Sequence, residues 1–375
     1  MEFNIQKDLL LAGVQKTIGI VEKKTTMPIL NNIVIRAENG KITIVATDRE
    51  ITLVANYTAE IVSEGDVAVS AKKMYEMVKE MPEGLIHVVK NESHMLVISC
   101  QKVVYKINGM SADEFPSISD DGDVPLFAVE GKVLDILIFK SFFAIGTDEA
   151  RRNLTGGLFE VDVDVEGGPF LRMVGTDGHR MAISEAPIKE GEYGFLIPGN
   201  GVIIPRKGLV EIRKLVYENI GSVFLGIYGG MCVVRIPDVV LKVSLVDADF
   251  PDYRRVIPKD KGTVVKVDKN LILHALKRVN VVSGDVYGGV IVHLKDNLMI
   301  LKSNDFSIGE AIDEIDVSYS GGEVTVGYNI GYLLNSIDVV TEKNIVMEIG
   351  AEVKPTVIRG EGNDHYMSVI MPLKI

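Results

Sequence analysis

The chain has 375 residues, of which 47% are hydrophobic and 25% charged, and its formal net charge is −12. This composition excludes an intrinsically disordered chain, and the length allows two or three ordinary domains. The two cysteines lie outside any CxxC or Cys/His motif, so we expect neither a disulfide scaffold nor a metal or other cofactor. No apolar run approaches the roughly 18 residues of a membrane span, which predicts a cytoplasmic protein without a membrane partner.

The first third of the chain predicts two helices separated by strands. The helix at 7–24 has apolar residues at i, i+4, i+8 and i+11, which are Leu10, Val14, Ile18 and Val21. Lys16 then falls on the opposite face. An Asn-Gly pair at 39–40 predicts a hairpin, and Asp48 stands between two apolar runs, as in an Asx turn. The second helix, at 70–81, carries two lysines one heptad apart and away from its apolar face, Lys72 and Lys79.

The same order of elements recurs twice along the chain. Helices are predicted at 132–147 and 268–283 with the apolar offsets of the first, and they place Lys140 and Lys277 at the position of Lys16. Hairpin turns follow at 167–168 and 296–297, and Asx turns at Asp177 and Asp305. The helix at 205–219 repeats the lysine pair as Lys207 and Lys214, whereas the helix at 328–340 has isoleucines there.

Spacing identifies these elements as repeats. The aspartates of the three Asx turns are 129 and 128 residues apart, and a near-constant period of this kind indicates a triplicated unit. We therefore predict an α+β protein with three domains, at residues 1–124, 125–257 and 258–375, each built from two helices packed on antiparallel sheets.

Charge is distributed unevenly between helices and strands. Over the six predicted helices, basic residues outnumber acidic ones by 16 to 9, although the whole chain is acidic. Lysines on solvated helix faces are common in any protein. The lysines recur at the same helix position in several repeats, however, which favours a second interpretation. In it the helices form a basic surface that faces the phosphates of DNA, while the acidic remainder of the protein repels them.

Six strings in this order resemble one family, the bacterial replicative sliding clamps, which are the beta subunits of DNA polymerase III. They are MPILNNI (27–33), RNLTGGLFE (152–160), TDGHRMA (176–182), IPRKGLVEI (204–212), DFPDYRRVIP (249–258) and VIMPLKI (369–375). The resemblance implies a non-enzymatic processivity factor, a head-to-tail homodimer whose six clamp domains close a ring around double-stranded DNA without reading its sequence. It also implies partners: the polymerase III alpha subunit, other polymerases, the clamp loader, and mismatch-repair and ligase-type proteins.

The resemblance also implies a hydrophobic peptide-binding pocket between the second and third domains. In the second domain the matching positions are Leu154, Thr176, Gly178, His179, Arg180, Met181, Pro251, Arg255 and Val256. In the third they are Asn329, Tyr332, Val353, Pro355, Val369, Ile370, Met371, Pro372 and Leu373. Such an apolar groove suits a short hydrophobic peptide.

Contacts with DNA and between subunits are implied at other positions. Lys24 and the loop of Arg151, Arg152 and Asn153 match DNA-contacting positions of the family, in addition to the helix lysines Lys16, Lys72, Lys79, Lys140, Lys207, Lys214 and Lys277. The dimer interface is expected where Tyr105 and Ile107, on an edge strand of the first domain, meet Val281 and Val282 of the third.

Two other functions compete with the clamp as interpretations of this sequence. His179 next to Asp177 invites a catalytic interpretation, but no Ser or Cys nucleophile motif accompanies the pair, and Asp177 has equivalents in the other two turns. A scaffold that binds peptides without encircling DNA is the remaining alternative. It would be retained equally on circular and linear DNA.

Overall fold

A computed structural model describes residues 1–21, 27–117, 124–164, 168–188, 201–217, 221–259, 262–284, 288–350 and 354–374. Within this part of the chain there are six α-helices. They are α1 (Lys7–Thr17), α2 (Ala71–Glu80), α3 (Gly131–Ser141), α4 (Arg206–Tyr217), α5 (Lys269–Asn280) and α6 (Ile330–Asp338). Each coincides with a predicted helix, and several are shorter. Among the described residues, no helix is long and apolar enough to cross a membrane.

One compact unit comprises residues 1–132 and 210–245 and contains two of the sheets found in the described residues. The first has five strands, in the order β5 (Glu60–Ser63), β1 (Glu2–Gln6), β7 (Leu85–Lys90), β8 (Leu96–Cys100) and β9 (Val103–Ile107). The second has eight, in the order β10 (Phe127–Glu130), β15 (Ser222–Tyr228), β16 (Met231–Ile236), β17 (Val239–Ser244), β4 (Ile51–Thr58), β3 (Lys41–Thr47), β2 (Asn32–Glu38) and β6 (Gly65–Ser70).

The other compact unit comprises residues 133–209 and 246–375. Its larger described sheet has the order β14 (Val202–Pro205), β11 (Gly156–Asp164), β12 (Gly168–Thr176), β13 (Arg180–Pro187), β26 (Tyr366–Ile370), β25 (Thr356–Gly360), β24 (Asn344–Ile349), β18 (Thr263–Asp268) and β22 (Ser318–Tyr319). Its smaller one has the order β21 (Gly309–Asp316), β20 (Leu298–Asp305), β19 (Gly289–Lys295) and β23 (Val324–Asn329).

The largest sheets do not stop at the predicted domain borders. The pair β17 and β4 joins residues 239–243 to 51–55, and the pair β13 and β26 joins 180–184 to 366–370. The central third of the chain therefore contributes strands to both compact units. The bounds of the three domains, at residues 1–124, 125–257 and 258–375, stay a prediction.

The three predicted Asx turns are confirmed, and they share one geometry. In each, aspartate Oδ1 accepts the N–H groups two and three residues later, at 2.9 and 2.6 Å for Asp48, 2.9 and 3.0 Å for Asp177, and 2.8 and 3.2 Å for Asp305. The 39–40 and 296–297 hairpin turns are confirmed too, with positive φ at both central residues. The hairpin at 167–168 joins β11 to β12, and its turn lies partly outside the described residues.

The predicted helix faces are correct in part. Leu10 and Val14 of α1 are buried, as predicted. In α5 the buried residues are Ile272, Leu273, Ala275, Leu276 and Val279, so Ala275 and Val279 are buried as predicted, whereas the predicted Leu271 is 39% exposed. Lys277 lies on the exposed side of this helix.

Both thiols, at Cys100 and Cys232, are buried. Burial raises the pKa of the Cys232 thiol to about 12. Because the thiolate is the reactive form, we expect the native protein to react with Ellman's reagent at pH 8 about 100-fold more slowly than the unfolded chain. A rapid phase equivalent to one thiol per native chain would show that this packing is wrong.

Candidate functional site

A cavity of about 280 Å³ opens in the unit formed by residues 133–209 and 246–375. The surface of the cavity is mostly apolar, although charged side chains contribute to it as well. The lining residues are Arg151, Asn153, Leu154, Thr176, Gly178, His179, Arg180, Met181, Pro251, Asp252, Tyr253, Val256, Val369 and Met371. Ten of these fourteen were among the predicted pocket residues.

The Asx turn between β12 and β13 forms one side of the cavity. Gly178 takes a φ of +89°, and a Cβ at this position would stand 2.9 Å from Nη1 of Arg151, so the site requires glycine. Arg151 Nη2 donates to the carbonyl oxygen of Asp177 at 2.6 Å. This bond attaches the 3₁₀ segment Glu149–Leu154 to the turn.

Arg180 is held in place beside the turn. Its Nε donates to Asp177 Oδ2 at 3.0 Å, and its guanidinium lies 4.3 Å from the ring centroid of Tyr332 and 5.4 Å from that of Phe143. The Arg180 side chain is only 12% exposed. A paired and stacked guanidinium of this kind is a fixed positive group rather than a mobile one.

Strand β26 forms the opposite side by pairing with β13. Met181 lies across from Val369, and Met371 donates its backbone N–H to the carbonyl oxygen of His179 at 2.9 Å. Because side chains alternate along a strand, Val369 and Met371 face the cavity and Ile370 faces the other way. The predicted pocket role of Ile370 is therefore wrong, since its side chain is 0% exposed in the hydrophobic core.

Other predicted pocket residues lie outside the lining, each for a local reason. Asn329 caps α6 by accepting the N–H of Tyr332 at 3.1 Å, and Tyr332 stacks behind Arg180. Arg255 pairs with Asp252 at 2.8 Å. Leu373 donates its N–H to Gly327 at 2.8 Å, so the C-terminal segment leaves the cavity after Met371. Pro355 and Pro372 are also outside the lining, and Val353 lies outside the described residues.

Four lining residues were not predicted as pocket residues. Arg151 and Asn153 were assigned to a DNA-contacting loop, whereas the structure places both in the cavity wall. Asp252 and Tyr253 were not predicted at all, although both belong to the motif DFPDYRRVIP that contributed Pro251 and Val256. Proximity to those two residues was the signal that could have identified them. Arg152 is exposed beside the cavity.

The predicted DNA-facing lysines differ in exposure. Lys72, Lys79, Lys214 and Lys277 are exposed, and Lys16 and Lys207 are half-buried. The prediction that Lys140 lies on a solvated helix face is wrong. This residue is 7% exposed, its ammonium lies 5.5 Å from the ring centroid of Tyr366, and burial lowers its pKa. Lys24 lies outside the described residues.

The predicted interface residues lie on an edge strand and at a helix end. Both Tyr105, which is half-buried, and Ile107, which is buried, lie on β9, an edge strand of the five-stranded sheet. Val281, the C-cap of α5, is 76% exposed, and Val282 is half-buried. Strand β21 is an edge strand of the four-stranded sheet.

Repeated α+β units with lysine-bearing helices and an apolar peptide-sized cavity define a DNA clamp of three similar domains. Models of the DNA polymerase III beta subunit match the chain at residues 1–119 for the N-terminal domain, 128–252 for the central domain and 254–374 for the C-terminal domain. The chain belongs to this family.

Known clamps match over the whole length of the chain. The beta sliding clamps of Pseudomonas aeruginosa and Caulobacter vibrioides are 29% and 30% identical to it, over 100% of the chain and of each relative. A crystal structure of the Pseudomonas aeruginosa sliding clamp bound to griselimycin has a TM-score of 0.91 and 28% identity, and 100% of both chains is covered. The chain is thus a DNA sliding clamp, a non-catalytic processivity factor that tethers its partners to DNA.

Proposed function

We propose that two copies of this chain close head to tail around duplex DNA in the cytoplasm and that the cavity described above holds the partners. The observation that supports this pocket most strongly is the convergence of the Asp177 turn, the Pro251–Val256 segment and the end of β26 on one apolar cavity. The Pseudomonas aeruginosa clamp binds griselimycin, which agrees with a ligand site in this family.

The chemistry of the cavity favours a short hydrophobic peptide. Leu154, Met181 and Val369 form an apolar floor that is at most 7% exposed, whereas Val256 and Met371 remain accessible at 43% and 39%. Flexible Met side chains adapt to different apolar partners. Arg151 and Arg180 add fixed donors for peptide carbonyl or carboxylate oxygens. We infer that the alpha subunit of polymerase III, other polymerases, the clamp loader, and mismatch-repair and ligase-type proteins bind here in turn.

The DNA contacts are proposed to be electrostatic and independent of sequence. Lys72, Lys79, Lys214 and Lys277 carry exposed positive charges on their helices, as do Lys73 and Arg278. Some of this charge is moderated by neighbours, since Lys214 lies 2.8 Å from Glu211 and Lys72 lies 3.9 Å from Glu76. A diffuse positive potential of this kind attracts the phosphates of DNA. Because it does not depend on the base sequence, it still permits the protein to slide along the duplex.

Replacing Lys79 and Lys277 by alanine is expected to reduce loader-dependent loading onto nicked circular DNA. The slope of the logarithm of the DNA-binding constant against the logarithm of the salt concentration should become shallower by about one unit for each lost phosphate contact. Binding of a polymerase-tail peptide should stay unchanged, since neither lysine is among the residues that line the cavity. Lys41 and Lys295, which are exposed on hairpins, provide the matched control pair. Equal effects of both pairs on loading would contradict a specific role for the helices.

The subunit interface is proposed to join β9 of one chain to β21 of the other. Val104 and Lys106 of β9 are exposed, as is Lys102, which directly precedes this strand. On β21 the exposed positions at the same spacing are Glu310, Ile312 and Glu314. Antiparallel pairing of Val104 with Ile312 brings Lys102 opposite Glu314 and Lys106 opposite Glu310. Glu310 also forms an ion pair with Lys302 of its own chain. Val104 and Ile312, each 55% exposed, cover one another. Tyr105 and Ile107 then face the α5 end, with Val281 and Val282.

A further inference from the structure

Three charged residues stand side by side on neighbouring strands next to the cavity. Glu160 on β11, Arg172 on β12 and Glu185 on β13 occupy directly opposed positions of the antiparallel sheet. Arg172 Nη1 donates to Glu160 Oε1 at 2.9 Å, and its Nε donates to Glu185 Oε1 at 2.6 Å. Glu160 is 2% exposed and the Arg172 side chain 13%. Charges this deeply buried must keep their partners, because an unpaired charge there is costly.

Tyr253 connects this ion network to the cavity wall. Its hydroxyl donates to Glu160 Oε1 at 2.5 Å and accepts from Arg172 Nη1 at 2.9 Å, and Tyr253 is among the residues that line the cavity. Burial and the hydrogen bond to Glu160 raise the pKa of Tyr253. The phenol therefore stays protonated and remains a donor to the carboxylate throughout the physiological pH range.

A second contact comes from Arg254, which follows Tyr253 in the short 3₁₀ helix Tyr253–Arg255. Arg254 Nη2 donates to Glu160 Oε1 at 2.9 Å and lies 3.4 Å from Asp162 Oδ2. The backbone hydrogen bonds of the turn are local, from Arg255 to Asp252 and from Val256 to Tyr253. Side-chain bonds to Glu160 thus attach the turn to the face of β11.

We propose that Glu160 and Arg172 are positioning residues for the peptide site. They are not part of the cavity lining, and they act through Tyr253 by fixing the distance between the Pro251–Val256 wall and the β26 wall. A peptide that spans the two walls binds tightly only when this distance is set beforehand, since a mobile wall must be ordered on binding. The proposal rests on the peptide-binding function proposed above and deepens it.

Tyr253→Phe tests the proposal in the full-length protein, because it keeps the ring and removes only the hydroxyl. We expect a fluorescein-labelled polymerase-tail peptide to bind about fivefold to tenfold more weakly by anisotropy. Glu160→Gln, which keeps an acceptor for the hydroxyl, should lose less affinity than Glu160→Ala. Thermal melts establish that the variants are folded at the temperature of the titration.

A double-mutant cycle separates positioning from a general loss of stability. Combined with Val256→Ala, which lies on the same wall, Tyr253→Phe should be non-additive, whereas with Met371→Ala on the opposite wall the effects should add. Unchanged peptide affinity of Tyr253→Phe, or additivity in both cycles, overturns the proposal. If the wild-type protein fails to bind the peptide, the proposed peptide site itself is wrong, and the two failures are thereby distinguished.

Discussion

The variant Met371→Ala/Val256→Ala is expected to bind a polymerase-tail peptide about 100-fold more weakly than the wild-type protein. The two side chains stand on different walls of the cavity and remain 39% and 43% exposed, so a peptide that enters between them buries both. Apolar anchors in such a pocket each cost about 1 to 2 kcal/mol when truncated. Because neither side chain belongs to the core, the melting temperature should change little.

Leu373→Ala is the matched control for this variant. Leu373 is 44% exposed and lies two residues beyond Met371, but its backbone bonds to Gly327 and its side chain is outside the cavity lining. Isothermal titration of the three proteins should therefore show a loss only in the double variant. A comparable loss for Leu373→Ala would show that the pocket extends to Leu373, as the resemblance to the clamp family implies.

Ile312→Asp is expected to dissociate the dimer at micromolar concentration. It places a carboxylate opposite Val104 and creates three acidic side chains in a row on β21, where the partner strand offers one apolar side chain between two lysines. Burying an unpaired charge at an interface, next to like charges, costs several kcal/mol. Since a closed dimer has two such interfaces, the loss counts twice per particle.

The compensating change tests the pairing register as well as the strands involved. Val104→Lys in the same chain gives three lysines against three acids, and sedimentation velocity should show the dimer restored. Val62→Lys serves as the control, because this 57% exposed residue lies on β5, at the edge of the same sheet opposite to β9, and adds equal charge away from the proposed contact. Rescue by the control, or failure of Val104→Lys to rescue a folded chain, would contradict the proposed pairing of positions 104 and 312.

Local rules predicted those parts of the fold that depend on a few neighbouring residues. The Asx turns at Asp48, Asp177 and Asp305 needed only a short polar side chain between two strands, and all three have the same hydrogen bonds. The turn at Asp177 then brought His179 and Arg180 to the cavity, where they were predicted to lie.

Errors arose where distant contacts decide. Helix α3 contains apolar residues on most of its circumference, so its sequence fixes its rotation poorly, and Tyr366, far along the chain, determines that Lys140 is buried. The error at Ile370 has a different origin, because its place in the pocket was inferred from motif position alone, whereas the local alternation of side chains along the strand directs it to the core. The bond between Tyr253 and Glu160 spans 93 positions of sequence, and no local pattern signals it.

Retention on circular and linear DNA tests encirclement most directly. The protein is loaded onto nicked circular plasmid by a clamp loader, isolated by gel filtration, and divided into an untreated sample and one cut once with a restriction enzyme. A ring held by topology stays on the circle and leaves the linear molecule by sliding off its ends. Equal retention on both, with the polymerase-tail peptide still bound, would contradict encirclement and favour a scaffold that binds peptides without enclosing DNA.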